Sequence, residues 1–252
     1  MNYIIYMRIG LLIPSTSTGR NWNTIQESYL YKHTLKSFLL TYDTEYSYTF
    51  YIGIDKDDII YDNIHNMEFL TNFVNVMKNI EISFVYMDNI SKGHLTIMWN
   101  KLFEIAYNDN CQYFFQCGDD IEFKTHGWIK DCIHILQQHN DVGVTGPIDK
   151  NNTRLLTQSF VSRKHMELFG YYFPSEIINW FCDDWINEVY KRINKFYPLN
   201  DKYCVNVGGK PRYKVNNTKY NNQHEFNNGF NIMKEVCINI VNRDLQRITD
   251  KL

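Results

Sequence analysis

Through the first 150 residues, short apolar runs alternate with stretches of helical period. That pattern predicts a mostly parallel sheet with helices on both faces. The run RIGLLIP, from Arg8, predicts a first strand. A Ser/Thr/Gly loop follows, and then Thr24-Ile-Gln-Glu27, a capping box expected to open a helix with Tyr31, Leu35, Phe38, Leu39 and Tyr42 on one face. YTFYIGID predicts a second strand ending at Asp55, and a polar helix from about Asn63 to Lys78 leads to the third strand, IEISFVYM. Next, SKGHLTIMWNKLFEIAYND repeats Leu95, Met98, Trp99, Leu102, Ile105 and Ala106 at helical spacing. CQYFFQC is the fourth strand, and Gly118-Asp119-Asp120 follows it directly. In open α/β sheets ligands bind beyond the carboxyl ends of the strands, so Asp55, Asp119 and Asp120 are expected to share one crevice.

Farther along, GWIKDCIHILQQ predicts a helix, VGVTGP a strand, and FVSRKHMELFG a strand turning into a helix that Gly170 ends. CDDWINEVYKRINKFYP predicts a helix to Pro198; residues 199–231 are Asn- and Gly-rich and are expected to form a loop or lid. A C-terminal amphipathic helix carries Met233, Val236, Ile240, Leu245 and Ile248. With no repeat or linker, the 252 residues are expected to form one domain around a sizeable core.

Composition narrows the chemistry. A formal charge of -2 and a pI near 6.4 give no global attraction to a polyanion, so nucleic acid is not an expected partner and phosphate contacts must be local. The six cysteines form no Cys-x-x-Cys pair, which disfavours zinc and a disulfide framework and fits reduced thiols in the cytoplasm. The apolar start is interrupted by Arg8 and ended by Pro14, short of the roughly 20 residues of a membrane helix. Sequons at Asn89, Asn151 and Asn216 are what an Asn-rich chain produces by chance, and abundant Asn, Lys, Ile and Tyr suggest an AT-rich genome, such as that of a large DNA virus.

Gly-Asp-Asp after a strand suits two enzyme classes. A template-dependent polymerase holds catalytic metals this way, and Asp57-x4-Asp62 with Gly93, Thr96 and Asn100 imitates its earlier motifs in the right order. Only 17 residues separate Asn100 from Gly118, however, and the chain is too short for fingers and thumb. A metal nuclease would use Glu122-x-Lys124, a string that is also common on solvated strand edges.

Two blocks carry a more specific resemblance. KGHLTIMWNKLFEIAYNDNCQYFFQCGDDIEF, followed by GWIKDCI, and FVSRKHMELFGYYFPSEIINWFCDDWINEVY resemble the donor and acceptor blocks of GT-A glycosyltransferases of the inverting family-two type, over roughly residues 7–195. The resemblance implies a single GT-A (Rossmann-like) α/β domain: a nucleotide-sugar half at 1–125, an acceptor and catalytic half at 126–198, and a lid and helix at 199–252. It implies a nucleotide-sugar donor, UDP-linked first, a hydroxyl acceptor on a glycan, protein or lipid, and Mn²⁺ or Mg²⁺ on the diphosphate. Asp120 is the expected metal ligand, with Asp119 assisting or touching the ribose; a turn acid is the plainer alternative for both. Asp55 is expected to read base or ribose, though DKDD also suits an exposed turn. Ser15, Thr16 and Arg20 are expected at the donor, or are ordinary loop residues. Asp184, with Asp183 second, is the expected base, although acids in a first helical turn are also favoured by the macrodipole. Trp180 and Trp185 are expected to stack on the acceptor, or else to fill core. His224 and Arg212 are candidates for a C-terminal metal or diphosphate contact. Gly118 stands where the family often has an acid, which supports a competing reading as a catalytically degenerate glycan-binding domain.

Overall fold

The computed structural model describes residues 7–208, 214–249 and 251. Eight strands, β1 (Arg8–Ser15), β2 (Ser47–Ile54), β3 (Ile80–Tyr86), β4 (Tyr113–Gln116), β5 (Ile121–Phe123), β6 (Val144–Asp149), β7 (Ser159–Ser162) and β8 (Phe196–Asn206), form one sheet in the order β3-β2-β1-β4-β7-β6-β8-β5. The strands from β3 to β4 are mutually parallel; β7 runs antiparallel between β4 and β6, β8 is parallel to β6, and β5 closes the far edge antiparallel to β8. The result is a single α/β domain with a curled, mostly parallel open sheet flanked by helices, as the alternation of periods predicts.

Helices α1 (Lys36–Thr41), α2 (Ile64–Asn75), α3 (Leu95–Asn108), α4 (Trp128–Gln138), α5 (Lys164–Phe169), α6 (Cys182–Arg192) and α7 (Gln223–Thr249) cover both faces. β1 and β2 are therefore buried on both sides, which explains their near-continuous apolar sequences. Their side chains still sort by the two-residue period: Ile9, Leu11, Ile13, Phe50 and Phe115 enter one core with Phe38 and Trp128, while Leu12, Tyr51 and Phe114 enter the other with Leu102, Phe103 and Trp185. Gly10 lets α3 approach β1 closely, since a Cβ there would lie 3.1 Å from the Ala106 Cβ.

Three local expectations change. The Glu27 carboxylate does accept the Thr24 backbone N–H (3.1 Å), but this capping box opens only a 3₁₀ turn, Ile25–Glu27; the helix proper begins at Leu30 as a π-helical stretch, Leu30–Leu35, that runs into α1. Helix α6 stops at Arg192 rather than Pro198, because Asn194 takes a left-handed conformation (φ 56°) and the Lys195 N–H bonds back to the Tyr190 carbonyl (2.8 Å). The stretch read as loop from residue 199 is strand β8 as far as Asn206, and α7 already begins at Gln223. The six cysteines are buried and unbonded. Among the described residues no helix is long and apolar enough to cross a membrane.

Candidate active site

The carboxyl ends of β1 and β2 build a narrow cleft with Ser15, Thr16 and Asp55 as its polar wall and Met87, Leu95 and Met98 as its apolar one. Asp55 is nearly buried; its Oδ2 accepts the Thr16 hydroxyl (3.3 Å) and lies 3.8 Å from Lys92 Nζ. The loop is set by Asp58, which the sequence pattern did not single out. Its Oδ2 accepts the Ser17 N–H (2.7 Å) and the Thr16 hydroxyl (3.0 Å), and its Oδ1 accepts the Ser17 hydroxyl (2.7 Å) and the N–H groups of Ile60 and Tyr61 (both 3.0 Å). Burial alone would raise the Asp58 pKa; the hydrogen bonds from Tyr61, Ser17 and Ile60 outweigh it and hold the carboxylate below its usual range. The Asx pattern, an acid accepting from backbone two and three residues on, was the available signal. Asp58→Ala is expected to cost about 2–4 kcal/mol, because five donors lose one acceptor, and urea denaturation measures it.

Of the two carboxylates after β4, Asp119 is wholly buried and Asp120 is half-buried. Asp120 therefore offers the carboxylate surface at this turn, and Asp119 is not open to a ligand as placed. Two glycines cradle Asp120. A Cβ on Gly118 would lie 2.5 Å from its Oδ1, and one on Gly208, just past β8, would lie 1.7 Å from Oδ2 and 2.6 Å from Cγ. The Val207 N–H donates to the Asp120 carbonyl (2.9 Å), and Arg20 Nη2 donates to the Gly208 carbonyl (2.9 Å) with its guanidinium 4.7 Å over the Tyr29 ring. Arg20 Nε, beside this cradle, and Ser15 Oγ, in the β1–β2 cleft, are buried polar atoms with no hydrogen-bond partner among the described residues. Gly208→Ala is expected to push the Asp120 carboxylate out of place with little effect on the fold, since the clash reaches Cγ and cannot be relieved at the tip alone; a crystal structure of the variant checks it.

Among the described residues no group of three or more His, Cys, Asp or Glu side chains is placed to hold a metal. A hard cation here would rely on Asp120 and on oxygens of a bound diphosphate, a ligand set Mg²⁺ accepts. The cradle around Asp120 leaves its carboxylate unobstructed by neighbouring side chains at Gly118 and Gly208, so the residues fit such a cation. His224 does not join a cluster: it is exposed in the first turn of α7, with Nε2 3.2 Å from Asn228 Nδ2. Arg212 lies outside the described residues.

Asp183 and Asp184 occupy the first turn of α6. The residue before Cys182, Phe181, is left-handed (φ 75°), a costly conformation for an aromatic residue that is held by ring packing on Phe230 at 4.9 Å. Asp183 Oδ1 accepts the Asp184 N–H (3.1 Å), and the Asp183 carbonyl accepts Asn187 Nδ2 (2.7 Å). Asn187, buried, also clasps both the N–H and the carbonyl of Leu156 (2.9 Å each), which ties α6 to the loop before β7. Burial first, and the Asp184 charge second, raise the Asp183 pKa. Trp180 is 38% exposed beside the pair. Trp185 is not: it is fully buried, donates its indole N–H to Asp244 (3.1 Å) and belongs to the core, so it has no face for an acceptor.

The segment before α6 docks on the amino end of α3, which follows β3 and so lies on the carboxyl edge of the sheet. The Thr96 hydroxyl bonds the Ile177 carbonyl, and the Thr96 N–H bonds the Ile178 carbonyl (3.3 Å). A roomier cleft, about 540 Å³, lies at the opposite edge between His139, Lys164 and Lys195; it contains none of these acids.

The single α/β domain with its curled, mostly parallel open sheet has a GT-A-like fold. Among solved structures, the chain is similar to TarS of S. aureus, a glycosyltransferase: to its 1–349 portion at 14% identity and TM-score 0.53, and to the same portion in complex with UDP at 14% and 0.52, each over 78% of this chain and 60% of that one. A further TarS structure matches at 16% identity and TM-score 0.52, over 80% of this chain and 37% of that one. The chain thus spans less than two thirds of these relatives. At such identities the likeness establishes the fold alone. No protein-family model and no curated protein sequence matches the chain.

Proposed function

We propose that the protein is a nucleotide-sugar glycosyltransferase that moves a sugar from a UDP-linked donor to a hydroxyl acceptor with inversion. The observation that carries this reading is the placement of Asp55 and Asp120 just past the carboxyl ends of β2 and β4, with the segment that precedes Asp183 and Asp184 docked by Thr96 onto the amino end of α3. The likeness to a fold solved with UDP supports it.

In this reading Asp55 and Thr16 hold the nucleoside end of the donor, with Ser15 Oγ, which has no hydrogen-bond partner among the described residues, as an additional donor or acceptor. Arg20 steadies the diphosphate end and the Gly208 turn. A Mg²⁺ or Mn²⁺ held through Asp120 would supply Lewis-acid neutralisation of the charge that develops on the departing diphosphate. The acceptor hydroxyl oxygen bonds to the anomeric carbon as that carbon's bond to the diphosphate oxygen breaks; the hydroxyl proton passes to Asp184, and UDP leaves. Asp183 is the neighbour whose hold on a proton is strengthened by burial first and by the Asp184 charge second. Trp180, on the exposed side of the pair, offers a ring face to the acceptor.

A thermal-shift screen against UDP, GDP, CMP and TDP sugars, with and without Mn²⁺, tests the donor assignment. Stabilisation by UDP-sugars that requires the metal supports it. Absence of a shift with every nucleotide overturns it.

A further inference from the structure

Asn179 is nearly buried (8% exposed), and every hydrogen-bonding position of its amide is used. Nδ2 donates to the carbonyls of Gly93 (3.2 Å) and Lys214 (3.3 Å); Oδ1 accepts the N–H groups of Trp180 (2.7 Å) and Asn216 (2.9 Å). An amide has two donor hydrogens and two acceptor lone pairs, so these four bonds exhaust it. They reach three stretches far apart in sequence: the loop before α3, the turn leading to Asp183 and Asp184, and the segment that leads to α7. Aspartate keeps the shape and the acceptors but has no donors for the two carbonyls; serine has one hydroxyl hydrogen and cannot make all four bonds. Lys92, the neighbour of Gly93, lies 3.8 Å from Asp55 in the donor cleft, so a ligand that moves this loop acts on the first of the four bonds.

We propose that Asn179 is a positioning residue that docks the donor-side loop and the Lys214–Asn216 segment onto the turn presenting Trp180 and the acid pair, making the two halves of the site move as one. The inference rests on the proposed donor reading. Its consequence is that filling the donor cleft orders Trp180 and Asn216, which do not border that cleft.

Hydrogen exchange on the full chain, with and without UDP and Mn²⁺, tests it. In the wild-type protein UDP is expected to slow exchange in peptides spanning 88–96, and also in those spanning 176–182 and 214–220. In Asn179→Asp the protection of 88–96 should persist with UDP affinity within about threefold, while the added protection of 176–182 and 214–220 disappears. Hydrolysis of UDP-sugar, with water as acceptor, should fall in kcat by at least about tenfold at a nearly unchanged KM. Asn179→Ser is the second variant, and it should show the same uncoupling with lower basal protection at 214–220. If both variants transmit protection as the wild type does, or if wild-type UDP protects 88–96 and nothing else, the coupling is wrong and the donor reading stands. If UDP protects no segment of the wild type, the donor reading fails and the inference fails with it.

Discussion

Asp120→Ala should leave the protein folded with a nearly unchanged melting temperature and weaken Mn²⁺-dependent UDP binding by at least about 100-fold, some 2.7 kcal/mol, with sugar transfer lost. The fold is expected to tolerate the change because Asp120 is half-buried in a turn and its backbone bond to Val207 does not involve the carboxylate. The binding loss is expected to be large because no second carboxylate at this turn has exposed surface, Asp119 being wholly buried. Isothermal titration with UDP, repeated in EDTA, separates the two contributions: the wild type in EDTA should match the variant in Mn²⁺. Equal UDP affinity in variant and wild type, both with metal, would remove Asp120 from the donor site.

The second large effect lies at α6. Asp184→Asn should reduce transfer by about 10²–10⁴-fold while UDP binds as before, because a proton acceptor is removed without touching the donor cleft. Asp183→Asn should act differently. Its folded pKa is raised, to about 7, by burial and then by the Asp184 charge. A carboxyl raised above its unfolded value binds its proton more tightly in the folded state. Its penalty is absent below the unfolded pKa near 4, grows as pH rises, and is complete above the folded pKa. Asp183→Asn is therefore expected to stabilise the protein at pH 8 by on the order of 2 kcal/mol, with little change at pH 4. Melting curves at the two pH values measure it. A variant equally stable to wild type at pH 8 would contradict the buried-charge account.

The difference between what the sequence announced and what it concealed follows interaction range. Strands β1 to β4 and helices α2, α3 and α4 were legible because each buries a face whose period is written locally. β8 was not: Pro198, Asn200, Asp201 and Lys202 lower its strand signal, and it forms because β6 and β5 pair on either side of it. The stop of α6 was readable after the fact in Asn194, a residue that tolerates the left-handed cap. At the site, the acids that cluster at strand ends and at a helix start could be named from spacing. Asn179 and Asn187 could not, since each matters through partners distant in sequence; Asp58 showed only its local Asx pattern and not its hold on Ser17, and Phe181 gave no sign of its backbone conformation. Trp185 shows the opposite error: its place beside two acids suggested a ligand face, while the helical period, which puts it with Ile186 and Val189 on the buried side, pointed inward.

The pairing of β5 with β8 also has a bearing on how the protein is made. The strand that carries on from Asp120 finds its partner only far downstream, where Ile121 meets Asn206, and the cradle glycine lies two residues past that point. On a ribosome the β3-β2-β1-β4 half can collapse early from contacts close in sequence, while β5 waits without a neighbour on its β8 side until residues 196–208 emerge. A chain arrested before that stretch would hold the β3-β2-β1-β4 strands and an incomplete cradle for Asp120, so the cradle is finished only once β8 has emerged.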